Sequence, residues 1–98
     1  MLFRSEGEEP IGYVVVALGF SVQHGGMDSF LDDLYILPGH RGRGLGIQVM
    51  KRLSALLRPL GVKAMHLGVM PANHRARRFY RRLGFNRSVL TMMTKDGL

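Results

Sequence analysis

Ninety-eight residues are enough for one domain and leave no room for two, so a single domain over residues 1–98 is expected. With 46% hydrophobic residues and 21% charged ones the composition is that of a globular chain and excludes a disordered one. The net charge is +7, and the absence of cysteine excludes disulfides, thiolate metal sites and a cysteine nucleophile. The longest apolar run, residues 11–20, is half of the ~20 residues that a membrane helix needs. No basic start leads into an apolar core and a small-residue cleavage site, so the expected location is cytoplasmic.

The charge is unevenly spread. Residues 1–40 hold one base, Arg4, against six acids, Glu6, Glu8, Glu9, Asp28, Asp32 and Asp33, for −5. Residues 41–98 hold thirteen Lys and Arg against Asp96 alone, for +12. Such a field draws a polyanion, a nucleotide cofactor or a nucleic acid, to the second half, and a solvated basic face has the same signature.

In chain order, residues 2–5 read as a short strand followed by a turn at Glu6-Gly7-Glu8-Glu9-Pro10. Residues 11–22, rich in Val, Tyr and Phe, read as a strand. His24-Gly25-Gly26 is a turn, and residues 29–37 form a third strand closed by Pro38-Gly39. These connections are too short for helices, so the three strands form an antiparallel meander. Ile47, Met50, Leu53 and Leu57 then recur at helical spacing until Pro59 and Gly61. Met65, Leu67 and Val69 alternate with His66 and Gly68 as a strand that Pro71 stops. Asn73 is an N-cap residue for a second helix with Ala76, Phe79, Tyr80 and Leu83 as its apolar stripe and Gly84 beyond its end. Val89, Thr91 and Met93 suggest a last strand. The expected order is β-β-β-α-β-α-β, an α+β fold with a mixed, mostly antiparallel sheet, two helices and one parallel pair across the central crossover.

The most informative stretch is the glycine-rich turn before the first helix. Glycines let the backbone approach an anion, the helix N-terminus adds unpaired N–H groups and partial positive charge, and Arg41 and Arg43 add full charges. A phosphate or pyrophosphate is expected here. No Gly-Lys-Ser/Thr makes it a P-loop, and the third glycine of a dinucleotide fingerprint falls on Ile47 or Val49.

Arg41-Gly42-Arg43-Gly44-Leu45-Gly46 resembles the Arg/Gln-x-x-Gly-x-Gly/Ala pyrophosphate loop of the GNAT superfamily of N-acetyltransferases. Leu34-Tyr35-Ile36-Leu37-Pro38 looks like that family's fourth strand, and Asn73, Ala76, Tyr80 and Leu83-Gly84-Phe85 look like its second motif. The resemblance runs from about Ile11 to the C-terminus. It implies transfer of an acetyl group from acetyl-CoA to a primary amine of a small molecule or peptide by direct attack, without a metal. Arg41, Gly42, Arg43, Gly44, Leu45 and Gly46 then hold the pyrophosphate, with the N–H groups of residues 43–46 on its oxygens. Ile36 and Leu37 pair with the pantetheine arm, and one of their N–H groups polarises the carbonyl. Asn73, Phe79, Tyr80 and Arg82 complete the cofactor set, with Asn73 on the pantetheine and Arg82 on the 3′-phosphate.

Tyr80 is the candidate general acid for the leaving thiolate, because a phenol is protonated at neutral pH. Its alternative is packing beside Phe79. For the base, strand alternation puts Asp32 and Asp33 on opposite faces, and the role goes to Asp33. The position where some family members carry Glu is Gly68, so a water relay is the alternative. His24 and His66 are imidazoles, the side chains best suited to neutral-pH proton transfer, and are more often turn or surface residues. Typical members carry a strand and two helices before the point where this chain starts. That implies an acceptor wall supplied by another subunit, an open pocket, or a chain that is a fragment. Apolar residues on both faces of the second strand and an exposed sheet edge point to a homodimer. A CoA-binding relic and a basic nucleic-acid module are the competing readings, the latter disfavoured because no stacking aromatics interleave the arginines.

Overall fold

The computed structural model describes residues 1–4, 9–23 and 25–98. His24 and most of the turn expected at residues 6–10 lie outside the described residues. The chain divides into two compact units, Met1–Gly68 and Val69–Leu98.

The first unit holds strands β1 (Leu2–Arg4), β2 (Pro10–Ser21) and β3 (Gly26–Ile36), helix α1 (Leu45–Leu57) and strand β4 (Val62–Leu67). The sheet order is β1-β2-β3-β4, with the first two pairings antiparallel and the third parallel. A parallel neighbour needs a crossover, and α1 supplies it between β3 and β4. Pro38 ends β3: the residue before a proline is kept extended, and Leu37 has φ −55° and ψ 138°. Gly61, at φ 84°, reverses the chain after the 3-10 turn Arg58–Leu60 and starts β4.

The buried apolar residues are Ile11, Val14 and Leu31 of the sheet and Val49, Met50, Leu53 and Leu57 of α1. The four helical positions fall on one stripe, and each buried aliphatic side chain stabilises the fold by about 1.5–3 kcal/mol. Ser29, only 1% exposed, satisfies its hydroxyl by donating to the Ala64 carbonyl at 3.0 Å, a tie between β3 and β4.

A β-bulge interrupts the β2–β3 ladder. Val15 pairs with Asp33 and Val16 with Leu31, so Asp32 is the extra residue. Leu31 and Leu34, three positions apart, therefore both meet the β2 face that carries Val14 and Val16. Simple alternation does not govern Asp32 and Asp33: Asp33 shares the opposite face with Val15, and both carboxylates are exposed. The two faces of β2 also differ in cover, since Val14 is 1% exposed and Val15 43%.

The second unit contains α2 (His74–Arg82). Asn73 caps it as expected, its side-chain oxygen accepting the Ala76 N–H at 3.1 Å. Gly84, at φ 97°, turns the chain after the helix while Leu83, Gly84 and Phe85 donate their N–H groups to the carbonyls of Tyr80 and Arg81. The strand expected at residues 89–93 is not formed; residues 86–98 carry no regular element. A strand is held by a neighbouring ladder, and within this unit the regular element is a helix.

Candidate functional site

The glycine-rich turn folds as its composition requires. Gly42 and Gly44 adopt φ 78° and 74°, the left-handed region that disfavours any side chain. No described atom lies within 4 Å of a Cβ built on either, so the constraint on them is conformational. Gly44 is the N-cap of α1, and its carbonyl accepts the Gln48 N–H at 3.2 Å. Among the described residues no side chain caps this helix, and no acid stands in its first turn. Its leading N–H groups and the positive end of its dipole therefore face outward at residues 44–47, beside the exposed Arg43.

Arg41 is held in place. Its Nε donates to the Ile36 carbonyl at 2.8 Å and its guanidinium lies 5.4 Å from the centre of the Tyr35 ring. The loop is thereby tied to the end of β3, within the first unit. At that end β3 loses one neighbour: β4 pairs with residues 27–31, the last pair being Leu31 with Leu67, while β2 pairs with β3 as far as Ile36. Among the described residues of this unit, positions 32–36 of β3 thus present an unpaired edge on the β4 side. Leu37 donates its N–H to the Ile11 carbonyl at 2.8 Å. Its amide is committed to β2, and by alternation the backbone groups of Ile36 face the unpaired side. An extended chain bearing amides can add to such an edge as a further strand.

The exposed face of the sheet carries polar side chains. Tyr13 donates its hydroxyl to Asp33 Oδ2 at 2.8 Å and stacks on Tyr35 at 5.5 Å between ring centres. The hydrogen bond to Asp33, and that carboxylate's charge, push the Tyr13 phenol above its usual pKa. One oxygen of Asp33 is therefore already engaged. Further along the same face, Asp28 Oδ2 lies 3.1 Å from His66 Nε2, across β3 and β4. No local sequence signal marks this pair, because it depends on a parallel register between residues 38 positions apart.

In the second unit, Phe79 and Tyr80 are partly buried, and Tyr80 makes edge-to-face contacts with Phe79 at 5.1 Å and Phe85 at 5.6 Å. Arg77 donates to the Pro71 carbonyl at 3.0 Å, while Arg75, Arg78, Arg81 and Arg82 are exposed. Among the described residues no helix is long and apolar enough to cross a membrane.

The chain is similar to known proteins. The chain matches the acetyltransferase (GNAT) family over residues 1–85. It is 29% identical over 79 residues to the thialysine N-epsilon-acetyltransferase of Bos taurus, covering 81% of this chain and 46% of that protein. It is 35% identical over 75 residues to an uncharacterised N-acetyltransferase of Mycobacterium bovis, covering 76% of this chain and 45% of the other. The chain thus spans about half the length of the curated relatives it matches. Among solved structures, an integron cassette protein from a salt-marsh metagenome superposes with a TM-score of 0.80 at 32% identity, over 96% of this chain and 57% of that one. With a family match over most of its length, this fold and this loop, the chain belongs to the GNAT acetyltransferase family.

Proposed function

We propose that this chain is an N-acetyltransferase that moves the acetyl group of acetyl-CoA to a primary amine. The observation that carries the reading is the uncapped N-terminus of α1, flanked by two left-handed glycines and two arginines and tied through Arg41 to the unpaired edge of β3. The exposed N–H groups take the pyrophosphate, as helix N-termini do for anions. The pantetheine arm, which carries two amides, adds to β3, and the Ile36 N–H polarises the thioester carbonyl. A donor of this kind stabilises the developing oxyanion by about 3–4 kcal/mol. The name of the bovine relative supports an amine acceptor, and the carboxylates of Asp28 and Asp33 on the exposed sheet face favour a cationic one.

The amine nitrogen attacks the thioester carbon, the C–S bond breaks, and the thiolate takes a proton. We assign that proton to Tyr80, contact of the pantetheine to Asn73 and contact of the 3′-phosphate to Arg82; these roles rest on the motif that these residues match in sequence. Tyr80→Phe keeps the ring contacts and removes the proton, so turnover falls by about 10²–10⁴-fold with CoA affinity unchanged. Exposed apolar residues such as Val15 and Phe20 support a homodimer, which sedimentation mass tests.

The decisive experiment is thermal unfolding with CoA, acetyl-CoA or an RNA oligomer at low and high salt. Ligands that bind only the folded chain raise its melting temperature. A shift with CoA that survives high salt supports the proposal. No shift at millimolar CoA, or one with RNA only, refutes it.

A further inference from the structure

We propose that the outer edge of β2 pairs with the same edge of a second copy of this chain, joining the two sheets about a two-fold axis at Leu18. The inference rests on the homodimer reading above, gives it a surface and a register, and uses the first unit alone. Three observations carry it.

The first is an open ladder. β1 pairs with β2 only at residues 10–13, and Met1 meets the Val14 N–H at 2.7 Å and the Val14 carbonyl at 2.6 Å. Val14 thus turns its backbone groups toward the β1 side, and by alternation so do Val16, Leu18 and Phe20. β2 continues to Ser21, and beyond Met1 no described residue pairs with it on that side. The bulge in the β2–β3 ladder adds its residue to β3, so β2 itself runs without a break. Strand edges are usually guarded by a charge, a proline or a bulge, and residues 14–21 hold none of these.

The second is charge. Residues 10–27 contain no Asp, Glu, Lys or Arg, the longest such run in the chain. Two copies that each carry +7 repel one another, and least where the facing segments are neutral. A two-fold axis also sets residues beside their own counterparts, so a charged edge rejects its copy and a neutral one accepts it.

The third is side-chain match. Leu18 is 49% exposed and Phe20 75%, on the face where Val14 is 1% exposed. In an antiparallel pairing centred on Leu18, Val16 lies opposite Phe20 of the partner subunit and Leu18 opposite its own counterpart. The backbone groups of Val16, Leu18 and Phe20 are the ones turned outward, so each of these pairs exchanges both its hydrogen bonds. Aromatic and aliphatic pairs across strands are what stabilise a sheet. The outer edge of β2 is on the far side of the β2–β3 pair from positions 32–36 of β3. Assembly therefore leaves the edge proposed for the thioester arm open in each copy.

The test uses the full chain. Sedimentation at micromolar concentration is expected to give the mass of a dimer. Leu18→Lys opposes two ammonium groups at the axis and is expected to raise the dimer dissociation constant by about 100-fold or more, with CoA affinity by calorimetry unchanged. The chain has no cysteine, so Leu18→Cys sets a single thiol beside its own counterpart, at a backbone separation of about 5.5 Å, within disulfide reach. Mild oxidation is expected to convert it to a covalent dimer. Val22→Cys, at a position 87% exposed, is the control. Its counterpart lies about 27 Å away at ~3.4 Å per residue, and it is expected to stay uncrosslinked. Should Leu18→Lys fail to fold, the two cysteine variants decide. A monomeric mass for the unaltered chain overturns this edge and the homodimer reading together, and leaves the edge to a strand of another protein. A dimer that persists in folded Leu18→Lys overturns the edge and keeps the homodimer reading. So does one that cross-links through Val22→Cys and not through Leu18→Cys.

Discussion

The two helices begin in opposite ways. α1 starts at a left-handed glycine with no capping side chain, and α2 starts at an asparagine whose side chain accepts the Ala76 N–H. α1 buries Val49, Met50, Leu53 and Leu57, whereas α2 buries none of its residues. A helix held by a packed stripe can leave its first N–H groups unsatisfied, because tertiary contacts supply its stability. A nine-residue helix without such a stripe is marginal by itself and depends on its cap. The unsatisfied terminus is thus located where the core can support it, and that is the terminus proposed to hold phosphate.

Substitutions at four positions test this difference between the helices. The largest stability effect is expected from Leu53→Ala, which empties a buried position of α1 and costs about 2–5 kcal/mol in chemical denaturation. A loss under 1 kcal/mol would show that packing does not hold α1. Gly44→Val forces a β-branched residue into φ 74°, a conformation costing about 1–3 kcal/mol. The loop relaxes away from its anion-binding shape, and calorimetry should record up to about a 100-fold loss of CoA affinity. Asn73→Ala removes the cap of α2 and costs about 1 kcal/mol. Hydrogen exchange should quicken at the amides of α2 and stay unchanged in α1; equal effects in both would contradict the separation of the two units. The smallest effect sharpens the contrast. Gln48→Glu places an exposed acid in the first turn of α1, where it gains about 0.3–1 kcal/mol from the dipole. The same charge opposes phosphate, so thermal stability should rise while CoA affinity falls. A parallel change in both would argue against anion binding at this terminus.

Local signals carried most of the reading. Helical spacing at Ile47, Met50, Leu53 and Leu57, the strand character of residues 11–22, the cap at Asn73 and the glycines at 42, 44 and 84 each depend on neighbours within a few positions, so the sequence alone reports them. The same holds for the loop motif that marks the family.

Tertiary structure decided what depends on distant partners. Whether a strand forms at residues 89–93 depends on a neighbouring ladder and not on the alternation of Val89, Thr91 and Met93. The side to which Asp33 turns follows from a bulge that exists only once β2 and β3 are paired. The commitment of the Leu37 amide to Ile11, the anchoring of Arg41 on Ile36 and Tyr35, and the contact of Asp28 with His66 all depend on strand register. Local sequence pattern therefore determined the two helices, the first four strands and where an anion is expected. Register, set by long-range hydrogen bonding and burial, determined which polar side chains meet on one face.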